Sequence, residues 1–168
     1  MKILQIIAHP DLEGKSFTHQ LAKSFRDGAQ QSGDHTVTWL NVYELEGSDV
    51  SDDDIRKLVL EASHINFAYP CWWEMPPAKL VDLLQRIFVR GFAFDLDDGR
   101  MKPKLNIEVS CFISMGQDKD YNTTNLLQAM TYCGLYPMFS VFKNVGPRLT
   151  KENAELYLEH ARRQGQRL

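Results

Sequence analysis

Three short segments carry most of the residues whose types suit ligand chemistry, and each follows an apolar run. In the first, His9 precedes the hydroxyls of Ser16 and Thr18, which stand at the start of a helical pattern. Free N–H groups and the dipole at a helix N-terminus attract anions, and an imidazole and hydroxyls add hydrogen-bond donors. The segment therefore predicts a phosphate-binding loop. The alternative is a plain strand-to-helix connection in which Ser16 only caps its helix, and neither standard glycine-rich nucleotide loop is present.

The second segment spans residues 69–77 and reads YPCWWEMPP. Turns are usually polar, so the adjacent Trp72 and Trp73 need a physical reason to be there. A flat, partly apolar ligand such as a flavin ring supplies one, with backbone N–H groups of the turn bonding its heteroatoms. The alternative is that the two tryptophans pack against the following helix or across an interface between subunits.

The third segment spans residues 114–121 and contains one glycine and one tyrosine. Gly116 suits a close approach between the backbone and a ligand, and Tyr121 is a candidate proton donor. Both residues also have ordinary interpretations, as a turn glycine and an inert surface tyrosine. The segment gains meaning only together with the other two.

Alternating strand and helix patterns position these segments. Apolar and β-branched runs predict five strands, over residues 2–8, 35–42, 65–69, 105–113 and 140–143. Amphipathic patterns predict five helices, over residues 16–31, 52–62, 76–89, 122–133 and 150–163. Gly134 is the expected C-terminal cap of the fourth helix, residues 70–75 are a predicted loop, and residues 95–104 form a polar excursion.

This alternation is typical of an α/β fold with one parallel sheet and helices on both faces, here in a single domain over residues 1–168. The flavodoxin-like strand order 2-1-3-4-5 is the natural expectation. Ligands in such folds bind beyond the carboxyl ends of the strands, which is where all three segments would lie. A phosphorylation receiver of this fold would need an aspartate at the end of strand three, where this chain has Tyr69 and Pro70.

Composition narrows the class of protein further. The chain has 168 residues, of which 43% are apolar, and this suffices for one buried core. A net charge of −3 argues against a nucleic-acid partner. Three cysteines without a CxxC pair and five histidines without metal-binding spacing predict neither a disulfide framework nor a metal site. No apolar run reaches the roughly 20 residues of a membrane span, and the N-terminal run is too short for a signal peptide, so a cytoplasmic protein is predicted.

Taken together, the motifs resemble the NAD(P)H:quinone oxidoreductase family, the flavodoxin-fold group that includes DT-diaphorase. In length and detail the chain is similar to the bacterial ancillary flavoproteins of glutathione-gated potassium efflux systems. The matching stretches run in order along nearly the whole chain: IIAHPDLEGKSFTHQLA, FAYPCWWEMPPAKLVDLLQRIFVRGFAF, the loop after strand four, and AMTYCGLYP. The middle stretch is the most specific, because its Tyr-Pro-x-x-Trp turn, its prolines and its RIFxxGFAF ending recur in the family.

The resemblance implies a bound flavin, FMN or FAD, with its phosphate arm at the first segment and its ring at the other two. The implied flavin-binding residues are His9, Ser16, Phe17, Thr18, His19, Pro70, Cys71, Trp72, Trp73, Ser114, Met115, Gly116 and Gln117. Family members typically have Thr-Thr-Gly-Gly in the third segment, and here only Gly116 is retained. Tyr121 falls near a family tyrosine implicated in hydride transfer, which makes it the implied catalytic residue.

The implied activity has two steps: NAD(P)H reduces the flavin, and a quinone-like acceptor then takes two electrons. The resemblance also implies a homodimer, with the apolar stripe of residues 76–89 and the pair Phe92 and Phe94 as the expected interface. One alternative is a regulatory flavoprotein that binds a membrane transporter at the inner face of the membrane, with redox activity secondary or absent. Another is a flavin-free binding module on the same scaffold.

Overall fold

Five of the seven strands form the parallel sheet that the sequence predicts. The computed structural model describes residues 1–168. In chain order the strands are β1 (Lys2–Ile7), β2 (Thr36–Asn41), β3 (His64–Cys71), β4 (Phe94–Asp97), β5 (Arg100–Pro103), β6 (Ile107–Met115) and β7 (Leu135–Phe142). The sheet has the order β2-β1-β3-β6-β7, and every pairing within it is parallel. This is the flavodoxin-like order, so the predicted fold class is confirmed.

Five helices cover the two faces of the sheet. They are α1 (Phe17–Ser32), α2 (Asp52–Glu61), α3 (Ala78–Ile87), α4 (Thr124–Tyr132) and α5 (Lys151–Gln166). Apolar side chains of α1 and α5 pack with one face of the sheet, and those of α2, α3 and α4 pack with the other. No helix is both long and apolar enough to cross a bilayer.

The strands differ from the sequence prediction in three places. The polar excursion of residues 95–104 contains most of an antiparallel hairpin, β4–β5, that the sequence analysis did not identify. The last strand begins at Leu135, five residues before the predicted segment 140–143. It can include Pro137 because β7 is an edge strand, where a missing N–H costs no ladder hydrogen bond. The third strand continues through Pro70 and Cys71, which had been predicted to start a loop. The glycine cap is confirmed: Gly134 follows α4 with a φ of +80°.

Helices α1 and α5 touch through their backbones at two glycines. A Cβ atom on Gly28 would lie 2.0 Å from the carbonyl oxygen of Arg162, and one on Gly165 would lie 2.0 Å from that of Phe25. Real Cβ atoms do not approach backbone oxygens so closely. The packing of these two helices therefore depends on glycine at both positions.

A row of polar side chains crosses the buried sheet beneath α1. Gln5, Asn66 and Ser110 are direct cross-strand neighbours on β1, β3 and β6. The Gln5 amide donates to Asn66 Oδ1, and Asn66 Nδ2 donates to Ser110 Oγ at 2.6 Å. Ser110 Oγ in turn lies 2.9 Å from His64 Nε2. His64 ends the row, only 6% exposed, and its Nδ1 has no hydrogen-bond partner.

We expect the folded state to lose stability as the pH falls from about 6.5 to about 4. Burial lowers the pKa of His64 from 6.5 to about 4, because an apolar site disfavours the charged ring. Between these pH values the unfolded chain binds a proton that the folded chain does not. The unfolding free energy is therefore at its full value above about pH 6.5 and decreases as the pH falls toward 4. The difference is about 3 kcal/mol. Urea unfolding at the two ends of the interval measures it.

The matched variant is His64→Gln, which keeps an amide facing Ser110 but does not titrate in this interval. The difference in unfolding free energy between parent and variant should therefore change with pH. If both proteins lose the same stability on acidification, burial of His64 is not the cause.

Candidate functional site

The carboxyl ends of β1, β3 and β6 meet at one edge of the sheet, and the loops that follow them surround a cavity of about 660 Å³. Residues from all three predicted segments line it: His9, Phe17, Thr18, Pro70, Cys71, Trp72, Trp73, Glu74, Ser114, Met115, Gly116, Gln117, Lys119 and Val145. Most of the residues proposed from the sequence therefore share one cavity. Glu74, Lys119 and Val145 are lining residues that the sequence analysis missed.

The first loop is built around the carboxylate of Asp11. This carboxylate accepts hydrogen bonds from the backbone N–H groups of Glu13, Lys15 and Ser16, the shortest at 2.5 Å. Partial loss of hydration raises the pKa of Asp11, but together the three N–H bonds outweigh it, so the pKa of this carboxyl lies below its usual value. The loop is thus held in one conformation by an ionised side chain, and Asp11 has a structural role that the sequence analysis did not assign.

His9 lines the cavity with a ring that carries a hydrogen-bond donor. The backbone N–H of Asp11 donates to His9 Nδ1 at 3.0 Å, so in the neutral ring the proton is on Nε2. Burial lowers the pKa of His9, against the opposing charge of Asp11, so the ring is neutral at physiological pH. A neutral donor in this place suits a bound anion without carrying charge itself.

Ser16 and His19, both predicted to bind the flavin, do not line the cavity. Ser16 caps α1: its Oγ accepts from the His19 N–H at 3.3 Å and lies 2.8 Å from His19 Nδ1. His19 is buried, and its ring packs near those of His9 and Trp39. The capping role considered as the alternative for Ser16 is therefore present.

The N-terminus of α1 faces the cavity through its first two residues. Ser16 satisfies the N–H of His19, while the N–H groups of Phe17 and Thr18 have no partner within the helix. The Thr18 hydroxyl lies 2.8 Å from Ser114 Oγ and so connects the first segment to the third. Free N–H groups at a helix start and neighbouring hydroxyls form a site for an anion.

Three possible metal ligands also meet in this loop. Ligand atoms of His9, Asp11 and His19 lie within 4.8 Å of one another, a grouping that their spacing in the sequence did not indicate. These side chains already make hydrogen bonds within the protein: Asp11 accepts three from backbone N–H groups, and the Nδ1 atom of each imidazole takes part in one. The cluster is explained as the framework of the loop.

The second segment forms a tight turn with unusual backbone geometry. Trp72 and Met75 exchange two backbone hydrogen bonds of 3.0 Å, which leaves Trp73 and Glu74 as the two central residues. Their φ angles are +53° and +63°, the pattern of a type I′ turn. Glycine and asparagine normally occupy such positions, and each larger residue costs roughly 1–2 kcal/mol. Backbone strain of this kind is concentrated at functional sites.

The turn also holds an aromatic side chain in the open. Trp73 is 93% exposed, and Trp72 is 42% exposed with its ring 5.8 Å from that of His9. At this exposure Trp73 does not pack against the following helix, which excludes that half of the alternative for Trp73. A strained turn therefore holds an indole ring beside the cavity.

The third segment is fastened at both ends. The Val145 N–H donates to the Met115 carbonyl at 2.8 Å, and the Asn144 N–H donates to that of Gln117. Beyond it, Lys143 pairs with Asp120 at 3.2 Å. A Cβ on Gly116 would meet only the Val145 carbonyl, at 3.5 Å, so the fold itself does not require glycine there.

Tyr121, the predicted catalytic residue, is not among the residues that line the cavity. Its ring packs against the larger core cluster, close to Cys71 and to the fully buried Tyr69, whose hydroxyl has no hydrogen-bond partner. Burial raises the pKa of Tyr121 to about 12, and it also raises the pKa of the Cys71 thiol. Both groups are therefore protonated at physiological pH.

The fold and the cavity together define a flavodoxin-like protein whose candidate site lies at the carboxyl edge of the sheet. Residues 1–164 match a protein-family model described as flavodoxin-like fold, and the chain belongs to this family. An uncharacterized NAD(P)H oxidoreductase of Haemophilus influenzae is 26% identical over 158 residues, covering 83% of this chain and 77% of that protein.

Solved structures agree on the fold. The NAD(P)H:quinone oxidoreductase from Methanothermobacter marburgensis superposes with a TM-score of 0.81 and 22% identity, covering 99% of this chain and 98% of the other. An FMN-dependent NADH-azoreductase from Bacillus anthracis, solved in complex with FMN, gives a TM-score of 0.77 and 15% identity over the same shares. These matches confirm the flavodoxin-like fold that the sequence predicts.

Proposed function

We propose that this protein is a flavin-dependent NAD(P)H oxidoreductase that passes two electrons to a quinone-like acceptor. One observation carries the proposal: a single cavity joins an anion-attracting helix start to a turn with an exposed indole. A flavin nucleotide has the two matching parts, a phosphate and a flat ring. The volume of about 660 Å³ lies within the usual range of small-molecule sites. The Haemophilus protein is named an NAD(P)H oxidoreductase and the Bacillus protein an FMN-dependent NADH-azoreductase, which supports flavin-dependent oxidation of a nicotinamide.

The residues present fit such a cofactor in both parts. The His9 Nε2–H, the N–H groups of Phe17 and Thr18 and the Thr18 hydroxyl would hold the phosphate. The strained turn and the wall around Ser114 would hold the ring. When bound, a flavin supplies hydride acceptance from a nicotinamide and two-electron donation to an acceptor.

The chain's own groups would position the ligand and supply protons. Tyr121 is the proposed proton donor: because it does not line the cavity itself, its proton would pass through an intervening water, and its raised pKa keeps it protonated throughout the working range of pH. Trp73 and Met115 would exclude water from one side of the ring. His9 would add no net charge, since its ring is neutral.

We further propose a homodimer that uses the apolar groove on the α3 and α4 side. This second cavity, of about 440 Å³, lies between those helices and the β4–β5 hairpin, and most of its lining is hydrophobic. Val81, Leu84 and Phe88 of the predicted stripe line it, together with Phe94. Phe92 instead packs against Arg56. Sedimentation of the purified chain tests the assignment.

Reconstitution with flavin tests the enzyme directly. We expect the purified chain to bind FMN or FAD stoichiometrically, turn yellow, and oxidise NADH or NADPH only when a quinone such as menadione is present. Separate titrations with FMN and FAD identify the cofactor. A protein that takes up neither flavin would overturn the proposal and leave the flavin-free binding module.

The regulatory alternative predicts a different outcome. A transporter subunit would bind flavin without turnover and would co-purify with a membrane protein. None of the matched proteins described above is named as a transporter subunit. The enzyme is therefore the function that the site supports best.

A further inference from the structure

One ion pair spans the mouth of the cavity. Glu74, at the second central position of the strained turn, pairs with Lys119 from the third segment. Lys119 is the only lysine or arginine among the residues that line the cavity, and Glu74 is the only carboxylate. His9 is neutral at physiological pH. The fixed charge at the cavity therefore consists of this one pair.

The two partners are not equally placed. The Lys119 side chain is 40% exposed and that of Glu74 is 67% exposed, so the cation is the more covered partner. Ion pairs that water reaches are weak. On separation, the Glu74 carboxylate can turn to solvent while Lys119 stays at the mouth. The arrangement leaves a cation available to a ligand with a negative group.

We propose that Lys119 is a specificity-determining residue that favours flat acceptors carrying a negative charge, such as a sulfonated or carboxylated quinone. The inference rests on the proposed function, since it assigns the substrate class of that same site. The part of the cavity beside the bound flavin would receive the flat part of the acceptor, and Lys119 would pair with its acidic group in place of Glu74. Glu74 competes for the same cation and therefore weakens the preference.

Paired acceptors test this inference. The ratio of kcat/KM for a naphthoquinone sulfonate to kcat/KM for neutral menadione isolates the contribution of charge. Lys119→Gln should lower this ratio about two- to fivefold, the effect of losing an ion pair that water reaches. Glu74→Gln should raise it about two- to fivefold, because Lys119 loses its competitor. Rising ionic strength should reduce the ratio of the parent protein toward that of Lys119→Gln.

The matched control is Lys151→Gln, which removes a positive charge that pairs with Glu155 on α5 and does not line the cavity. Its ratio should equal that of the parent. A ratio unchanged by Lys119→Gln would overturn the inference. The inference would also be overturned if Lys119→Gln changed the kcat/KM for NADPH relative to NADH but left the acceptor ratio unchanged. The anion recognised would then be the phosphate of the nicotinamide cofactor.

An equilibrium measurement separates this inference from the proposed function. Quenching of tryptophan fluorescence by an anthraquinone sulfonate, compared with a neutral hydroxymethyl anthraquinone, reports binding without turnover. If the parent protein turns over neither acceptor, the proposed function fails. Selective loss of sulfonate binding in Lys119→Gln would still support the anion preference, and equal binding by both proteins would refute it.

Discussion

Replacing Trp73 with alanine is expected to weaken FMN binding by about ten- to a hundredfold. The indole is 93% exposed in the free protein, so its removal takes little packing from the fold. In the complex it would cover one part of the flavin ring, and an aromatic contact of this kind contributes about 1.5–3 kcal/mol. Titration of the apoprotein with FMN, followed by fluorescence, gives the dissociation constant.

Two further variants separate the side chain from the turn. Trp73→Gly also removes the ring but relieves the backbone at a φ of +53°. If stacking is responsible, the glycine and alanine variants bind FMN equally weakly. Leu156→Ala, which trims another exposed apolar side chain on α5, should leave the dissociation constant unchanged. Parent-like affinity in Trp73→Ala would show that this turn is not the ring site.

Replacing Gly28 with alanine is expected to cost at least about 3 kcal/mol of unfolding free energy. The added Cβ would lie 2.0 Å from the Arg162 carbonyl oxygen and 2.8 Å from its carbonyl carbon, both in the backbone of α5. No side-chain rotation relieves such a contact, so the helices must separate and expose the core between them. A loss of this size lowers the melting temperature of a chain this long by about 10 °C.

Gly33 supplies the control, since it lies just beyond the same helix. A Cβ there would meet only the His35 ring, at 3.5 Å, and its φ of 171° is extended backbone. Gly33→Ala should change the unfolding free energy by less than about 0.5 kcal/mol. Thermal and urea unfolding of the two variants compare them directly, and equal stabilities would contradict the close-contact interpretation of Gly28.

The sheet and its helices could be predicted because their patterns are local. Each buried parallel strand is a continuous apolar run and each helix has an apolar stripe, so the alternation fixes the order of elements. The β4–β5 hairpin has no such pattern, since Arg100–Pro103 is exposed at every position. Likewise Pro137 interrupts the sequence pattern of β7 without interrupting the strand.

The site was predictable as three segments but not in all its side chains. Strand order brings the segments together, and this much follows from the sequence. The pairing of Glu74 with Lys119 depends on two loops that are 45 residues apart in the chain. Helix geometry turned Ser16 toward the N–H of His19, and the course of the third loop left Tyr121 outside the cavity lining. Residue type alone determines neither.

The polar row through Gln5, Asn66 and Ser110 has a consequence for how the strands find their partners. A purely apolar parallel sheet tolerates a sliding error, because one aliphatic side chain replaces another. Here a slip of one residue would move the Asn66 amide to the opposite face, among apolar side chains and without its partners on β1 and β6. Each stranded amide would cost about 1–3 kcal/mol. The row therefore specifies the register of β1, β3 and β6, because a sheet paired in a slipped register is less stable.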